Sequence, residues 1–295
     1  MKARNRLSVY RVVDVPLKEV SGVCLGRGAA GQLALMAIGD RAAVAAWFVQ
    51  PKDDMASLDW QTADVARLEG SRLPEGDPDI EAVCADGLSR VLLLQESPPR
   101  GELIDAPNRR VIASVALEVP GDDRLARAWA DPAGSRGEGA VFLPAGHLLV
   151  AKEKDPSALI EFGPPGAQPL GLARGGALSA GAAWEIEPGD HRYVALAAWW
   201  PEKPLRKACR DFSDLEIGPD GHLYLLSDKS DSIARLTDLA LTGGTVSALA
   251  TWRLGDLDGK PEGLAFTPNG RAIVALDTRK ARHNLLLFEP AIAAG

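Results

Sequence analysis

Four times along this chain an acidic or hydroxyl residue is followed fifteen positions later by an acid: Glu81/Glu96, Glu138/Glu153, Ser213/Asp228 and Glu262/Asp277. Carboxylates repeated at a fixed spacing have three chemical uses. They can hold a hard cation, which takes about six to eight oxygen ligands without strict geometry. They can act as an acid and a base on one substrate. Or they can pair with lysine and arginine on a solvated surface, for little net energy. Which use applies depends on the elements that carry them.

Each pair brackets a short apolar run, a tight turn and a second apolar run: EAVCADGLSRVLLLQE, EGAVFLPAGHLLVAKE, SDLEIGPDGHLYLLSD and EGLAFTPNGRAIVALD. A looser first copy, SGVCLGRGAAGQLALMAIGD, runs from Ser21 to Asp40. Ala145-Gly146, Asp220-Gly221 and Asn269-Gly270 are hairpin turn dipeptides, able to adopt positive backbone angles. Five hairpins near 21–40, 81–96, 138–153, 213–228 and 262–277 are therefore expected, with opening and closing residues side by side across each one. Further strand-like runs follow every hairpin, among them GELID, SALIEF, SIARL and SALATWRL. A unit of this length fits a four-stranded antiparallel propeller blade of roughly 40–60 residues. The expectation is an all-β, five-bladed β-propeller occupying residues 1–295 as one domain. Asn284-LLLF supplies the third strand of the last blade, and the N-terminal run Leu7-SVYRVVDV closes it as the fourth.

In such a ring the first strand of each blade lines the central channel, and the charged hairpin ends share one face. Asp40, Glu81, Glu96, Glu138, Glu153, Asp214, Asp228, Glu262 and Asp277 would gather there. Converging carboxylates repel, and demand cations, raised pKa values or interleaved bases. Glu81, Glu138 and Glu262 open inner strands closest to the axis and are the candidate metal ligands, with Glu153, Asp228 and Asp277 beside them. The competing reading neutralises the acids locally through Lys152, Lys154, Lys229 and Arg279. Between Phe162 and Phe212 lies an insertion rich in Pro and Gly that holds Trp184, Trp199 and Trp200. Trp199 and Trp200, with Lys154, Asp40 and Glu96, are candidates to contact a ligand over the mouth; the competing reading makes the tryptophans outer-strand packing.

The rest of the sequence narrows the classes. A balance of 33 basic and 40 acidic residues, net −7, with no basic stripe, argues against a nucleic-acid partner. MKARNRLSVYRVVD begins with basic residues but has no apolar core behind them, and no run is long enough to span a bilayer, so a cytoplasmic protein without a membrane partner is expected. Cys24 and Cys84 sit at matching positions of adjacent repeats and read as packing, while Cys209 stands alone. His147 and His222 follow turn glycines and read as structural; His191 and His283 lie in polar loops. No Gly-x-Ser-x-Gly elbow, His-Glu-x-x-His or phosphate-cradling glycine loop occurs.

The ordered set of segments resembles the SdiA-regulated, or YjiK-like, family of bacterial propellers. The resemblance rests on a Ser-Gly-Val copy, an Asp79-Ile-Glu81 copy, a Glu-Gly copy ending in AKEKDPSALIEF, then FSDLEIGPDGHLYLLSDKS and PEGLAFTPNGRAIVAL. It implies a five-bladed propeller with bound calcium and no settled activity. This chain departs from the pattern in its N-terminus, in Ala82 where Gly usually follows Glu, and in the long third insertion. The expected function is a module that binds a divalent cation, calcium foremost, and a small-molecule or protein ligand at the channel mouth. One alternative is a metal-dependent hydrolase of a phosphoester, ester or lactone. The other is a protein-interaction scaffold whose acidic ring is purely structural.

Overall fold

The computed structural model describes residues 5–27, 33–40, 44–49 (backbone only), 60–76, 78–106, 108–131, 135–179, 181–255 and 257–294. The Gly-rich turn of the first hairpin falls outside them. The fold is all-β, and among the described residues the helices are short ones at Arg124–Ala130 and Lys203–Ala208 and a 3-10 turn at Val65–Arg67. No helix among the described residues is long and apolar enough to cross a membrane.

Each hairpin of the sequence opens a run of consecutively paired antiparallel strands. Val20–Arg27, Leu33–Gly39, Val44–Val49 and Gln61–Asp64 form the first run. Ile80–Ala85, Arg90–Gln95, Arg100–Asp105 and Arg110–Glu118 form the second. The third is Gly139–Phe142, Leu148–Lys152, Ala158–Gly163 and the long Gly189–Pro201. The fourth is Asp214–Ile217, Leu223–Ser227, Ser232–Leu236 and Ala248–Arg253. The last is Lys260–Phe266, Ala272–Asp277 and Leu285–Glu289, and there the chain's beginning returns: Ser8–Val13 pairs antiparallel with Leu285–Glu289. The outer strands of the second and third runs pair in parallel, Ala113 with Gly189 through Glu118 with Val194, joining those two runs into one sheet.

The turn chemistry differs in detail from the dipeptide reading. Ala145 and Gly146 both have positive φ, at 53° and 72°, but in Asp220-Gly221 and Asn269-Gly270 only the glycine does, at 78° and 82°. There the turn begins three residues earlier, with Gly221 N–H on the Gly218 carbonyl and Gly270 N–H on that of Thr267, both 2.8 Å. Proline at the second position fixes φ for a type I turn, and glycine closes it.

The inner strands form a circuit. Val20–Arg27 packs beside Ile80–Ala85, that beside Gly139–Phe142, then Asp214–Ile217, then Lys260–Phe266, which lies against Val20–Arg27 again. Alternation of side chains along a strand sends neighbours to opposite sides. Val83 accordingly packs with Cys24 and Met36 of the first run, whereas Cys84 packs with Phe142 and Val150 of the third. The same division produces apolar cores between the third and fourth runs (Leu149, Leu225), the fourth and fifth (Tyr224, Phe266) and the fifth and first (Ile273, Leu35). The inner strands approach closely. A Cβ on Gly139 would stand 2.4 Å from the Leu215 nitrogen, and one on Gly263 would stand 2.7 Å from that of Val23. Glycine after Glu138 and Glu262 is thus a packing requirement; at Ala82 a methyl is tolerated and fully buried.

Candidate metal centre

The acids reach the axis through a backbone irregularity repeated at the mouth of the ring. Val20 pairs with Gly39 and Gly22 with Ile38, leaving Ser21 as an extra residue; Glu81 and Glu262 are extra in the same way. Glu138 and Ser213 occupy the equivalent place at strand starts. Glu138 N–H donates to Ala151 O and Ser213 N–H to Leu226 O, both 3.0 Å, although those residues already face Gly139 and Asp214. A bulge takes one side chain out of the alternation that would send it into a core. Here it frees three glutamates and two serines to turn inward.

They line a cavity of about 200 Å³ together with Asp40, Glu153, Lys154, Asp228, Lys260 and Asp277. The serines are satisfied: Ser21 Oγ donates to Ile80 O at 2.7 Å, and Ser213 Oγ accepts the Asp228 N–H at 3.0 Å. Two of the outer acids have cations. Glu153 meets Lys154 at 2.6 Å and Lys229 at 3.9 Å, and Asp277 meets Lys260 at 3.8 Å. Lys152, one of the expected neutralising bases, is instead buried with its ammonium on the Lys154 carbonyl, and burial lowers its pKa. Lys260 does this work for Asp277 and was not among the bases anticipated from sequence.

Glu81, Glu138 and Glu262 differ from that outer set. Among the described residues none of the three carboxylates has a hydrogen-bond or salt-bridge partner. Burial pushes Glu81 up to about 9, helped by Asp40, Asp79, Glu96 and Glu262. Burial likewise raises Glu262 to about 8, with Asp228, Asp277 and Glu153 adding to it and Lys260 opposing. Glu138, only 8% exposed, is raised well above the carboxylate range by burial, then by Glu81, Glu153 and Glu262. For all three acids burial is the first cause of the upward shift, and neighbouring carboxylates add to it.

A second grouping shares Glu81. Carboxylate oxygens of Asp40, Asp79 and Glu81 lie within 4.8 Å of one another. Asp79 carries a positive φ of 55° and presents its carbonyl to Glu96 N–H at 2.9 Å. Sequence reading quoted Asp79 as part of a motif but left it out of the site; the signal was an acid two positions before the inward glutamate.

Four expected site residues lie elsewhere or act differently. Glu96 does not line the cavity; one of its carboxylate oxygens accepts the Arg136 N–H at 2.7 Å. Asp214, placed by sequence on the acidic face, turns sideways and accepts the Leu264 N–H at 2.6 Å, tying the fourth run to the fifth. Trp199 and Trp200 do not overhang the mouth. Trp199 is fully buried with its indole N–H on Ala240 O at 3.0 Å, and Trp200 lies 4.3 Å beneath the Arg124 guanidinium. Both belong to the outermost strand of their run, the far side of the sheet from the channel. His147 is buried and structural, its Nδ1 2.6 Å from Glu161 Oε1.

No family model matches this chain, and no curated protein matches it. Solved structures resemble it in outline. A calcium-binding protein, regucalcin, from Agrobacterium tumefaciens is 12% identical over 97% of this chain and 95% of its own, with a TM-score of 0.49. A luciferin-regenerating enzyme is 12% identical over 96% of this chain and 97% of its own, with a TM-score of 0.47. A protein of unknown function from Bacteroides caccae is 16% identical over 82% of this chain, which spans 64% of that longer protein, with a TM-score of 0.39. The ring stands on the strand pairings described above, and the resemblance to SdiA-regulated propellers remains one of segment order.

Proposed function

We propose that the chain is a single five-bladed β-propeller that holds a divalent cation at one mouth, calcium foremost, and uses it to bind an anionic small-molecule or protein ligand. Five blades are supported by the closed circuit of inner strands and by a core between each adjoining pair of runs. The cation is supported by one observation above the others. Glu138 is buried and Glu81 and Glu262 are half-buried, all three face a common cavity, and among the described residues none has the salt-bridge partner that Glu153 and Asp277 possess. Burying uncompensated carboxylates opposes folding. A hard cation that accepts several oxygen ligands removes that penalty and displaces the protons that otherwise do so.

Binding is favoured over hydrolysis. None of the four histidines lines the cavity, and Glu153, the partner Glu138 would need for paired acid and base chemistry, is held by Lys154. The Asp40, Asp79 and Glu81 cluster supports a second position for the ion, off the axis, since its oxygens already span a single coordination sphere. Thermal unfolding of wild type, Glu138→Gln and Asp79→Asn with calcium, magnesium or EDTA separates these readings. The axial site predicts a calcium shift abolished by Glu138→Gln and kept by Asp79→Asn; the off-axis site predicts the reverse. A transition that neither metal nor chelator moves, in protein free of metal by elemental analysis, would sink the cation reading and leave the scaffold.

A further inference from the structure

At the opposite ends of the same inner strands lies a second chamber, of about 410 Å³, with mainly apolar walls that include Leu25, Phe142, Leu178 and Ile217. That volume falls at the lower end of the range for small-molecule sites, roughly 300–1,000 Å³. Its roof is the insertion between the third and fourth runs, and the roof is built rather than draped. Glu161, fully buried, accepts the N–H groups of Leu170 and Gly171 at 2.8 and 3.0 Å. Gly175 N–H reaches Gly221 O, and Gly87 N–H reaches Ala182 O, both at 2.8 Å. Trp184 is buried, its backbone N–H on Asp86 and its indole N–H on His147 O. The insertion therefore bridges the second, third and fourth runs across this mouth.

The repeat supplies an internal control for what the chamber contains. Three residues after each inward-turned position stand Cys24, Cys84, Val141, Glu216 and Ala265. Four of the five are small or apolar, as a core position between runs requires; the fourth run alone carries an acid. Glu216 lines the chamber, and among the described residues its one side-chain hydrogen bond is from the neighbouring Ile217 N–H to Oε1 at 2.9 Å. Asp86, the other acid on the wall, is neutralised by Arg90 at 2.5 Å, but among the described residues no cation pairs with Glu216. Burial raises its pKa to about 8, with the Ile217 N–H opposing, and Arg27 stands on the same wall.

We propose that this chamber is a second ligand site, distinct from the acidic mouth, for a small organic ammonium whose apolar body fills the walls and whose charge pairs with Glu216. A carboxylate on a mainly apolar wall selects a ligand that brings both the compensating charge and the donor hydrogen bond. The probe is benzylamine, with benzyl alcohol as its neutral counterpart, titrated calorimetrically into the full chain. Benzylamine should bind at least tenfold more tightly than benzyl alcohol. Glu216→Gln should remove that preference, and Ala177→Trp, which fills the chamber from the roof, should block both probes while melting remains cooperative. Binding should survive EDTA and Glu138→Gln, which separates this site from the cation site. The proposal is overturned if benzylamine fails to bind at millimolar concentration, if the alcohol binds as well, if Glu216→Gln leaves the preference intact, or if EDTA abolishes binding.

Discussion

Glu262→Gln tests the chemistry of the acidic mouth through stability alone, without knowledge of any ligand. The folded-state pKa of Glu262 is about 8, against an ordinary 4.5. Between those values the folded chain holds a proton that the unfolded chain has released, so this carboxyl's contribution is most favourable below about pH 4.5 and is lost as pH rises toward 8. At pH 7 the accumulated penalty is about 3 kcal/mol, at 1.36 kcal/mol for each unit between the unfolded pKa and the working pH. Glutamine keeps the shape and cannot ionise. In EDTA at pH 7 the variant should therefore melt above wild type, by roughly 6–12 °C at about 2–4 °C per kcal/mol. At pH 5 the gap should shrink to under about 1 kcal/mol, because little of the titration has occurred there. Calcium should then reverse the order: at a hundred times its dissociation constant it adds about 2.7 kcal/mol to the wild type, and less to a variant lacking a ligand. Calorimetric melts across this pH range in EDTA and in calcium provide the measurement. A variant less stable than wild type in EDTA at pH 7, or a gap unchanged between pH 5 and 7, would refute the claim that this carboxylate is buried without compensation.

Asp214→Ala should destabilise the fold by about 1–3 kcal/mol by stranding the buried Leu264 N–H, while Asp214→Asn, which keeps an acceptor, loses less; urea melts compare the two. Glu161→Ala should release the insertion from its Leu170 and Gly171 anchors, seen as new proteolytic cleavage within residues 164–188 ahead of global unfolding. Trp199→Phe removes an indole hydrogen bond worth about 1 kcal/mol and should leave the calcium shift unchanged, since this side chain is far from the mouth. Deleting residues through Val13 takes away the strand that pairs with Leu285–Glu289 and should leave a chain that aggregates through the exposed edge, measured by light scattering.

The hairpins were legible because their turn residues and apolar runs are local signals, and the closing N-terminal strand was legible because the last run lacked a fourth. The same periodicity identified Glu81, Glu138 and Glu262 as positions of one kind. What it could not convey was why they face inward. Simple alternation would place an acid at the start of an inner strand in a core between two runs; the bulge that re-aims it exists only once two strands are in register, and no residue type announces it. Trp199 and Trp200 were misplaced for a related reason. Proximity in sequence to the loop entering the fourth run suggested the mouth, whereas the thirteen-residue strand Gly189–Pro201 that carries both is the outermost strand of its run.

Asp214 and Glu216 show where the repeat informs most, at the places where it breaks. Aligned to its siblings, Asp214 stands where Gly22, Ala82, Gly139 and Gly263 pack, and Glu216 where Cys24, Cys84, Val141 and Ala265 pack. Nothing in the ring's geometry asks for acids there, since four other runs close the same contacts without them. The two departures differ, however, in what surrounds them. Asp214 accepts two backbone N–H groups, from Leu264 and Leu215, and so returns part of its desolvation cost as a link between runs. Among the described residues Glu216 accepts only its neighbour's N–H, and it opens on a chamber. An acid at a packing position that makes no hydrogen bond to another run among the described residues is the group the proposed ligand would meet, and this difference from Asp214 is what the Glu216→Gln titration tests.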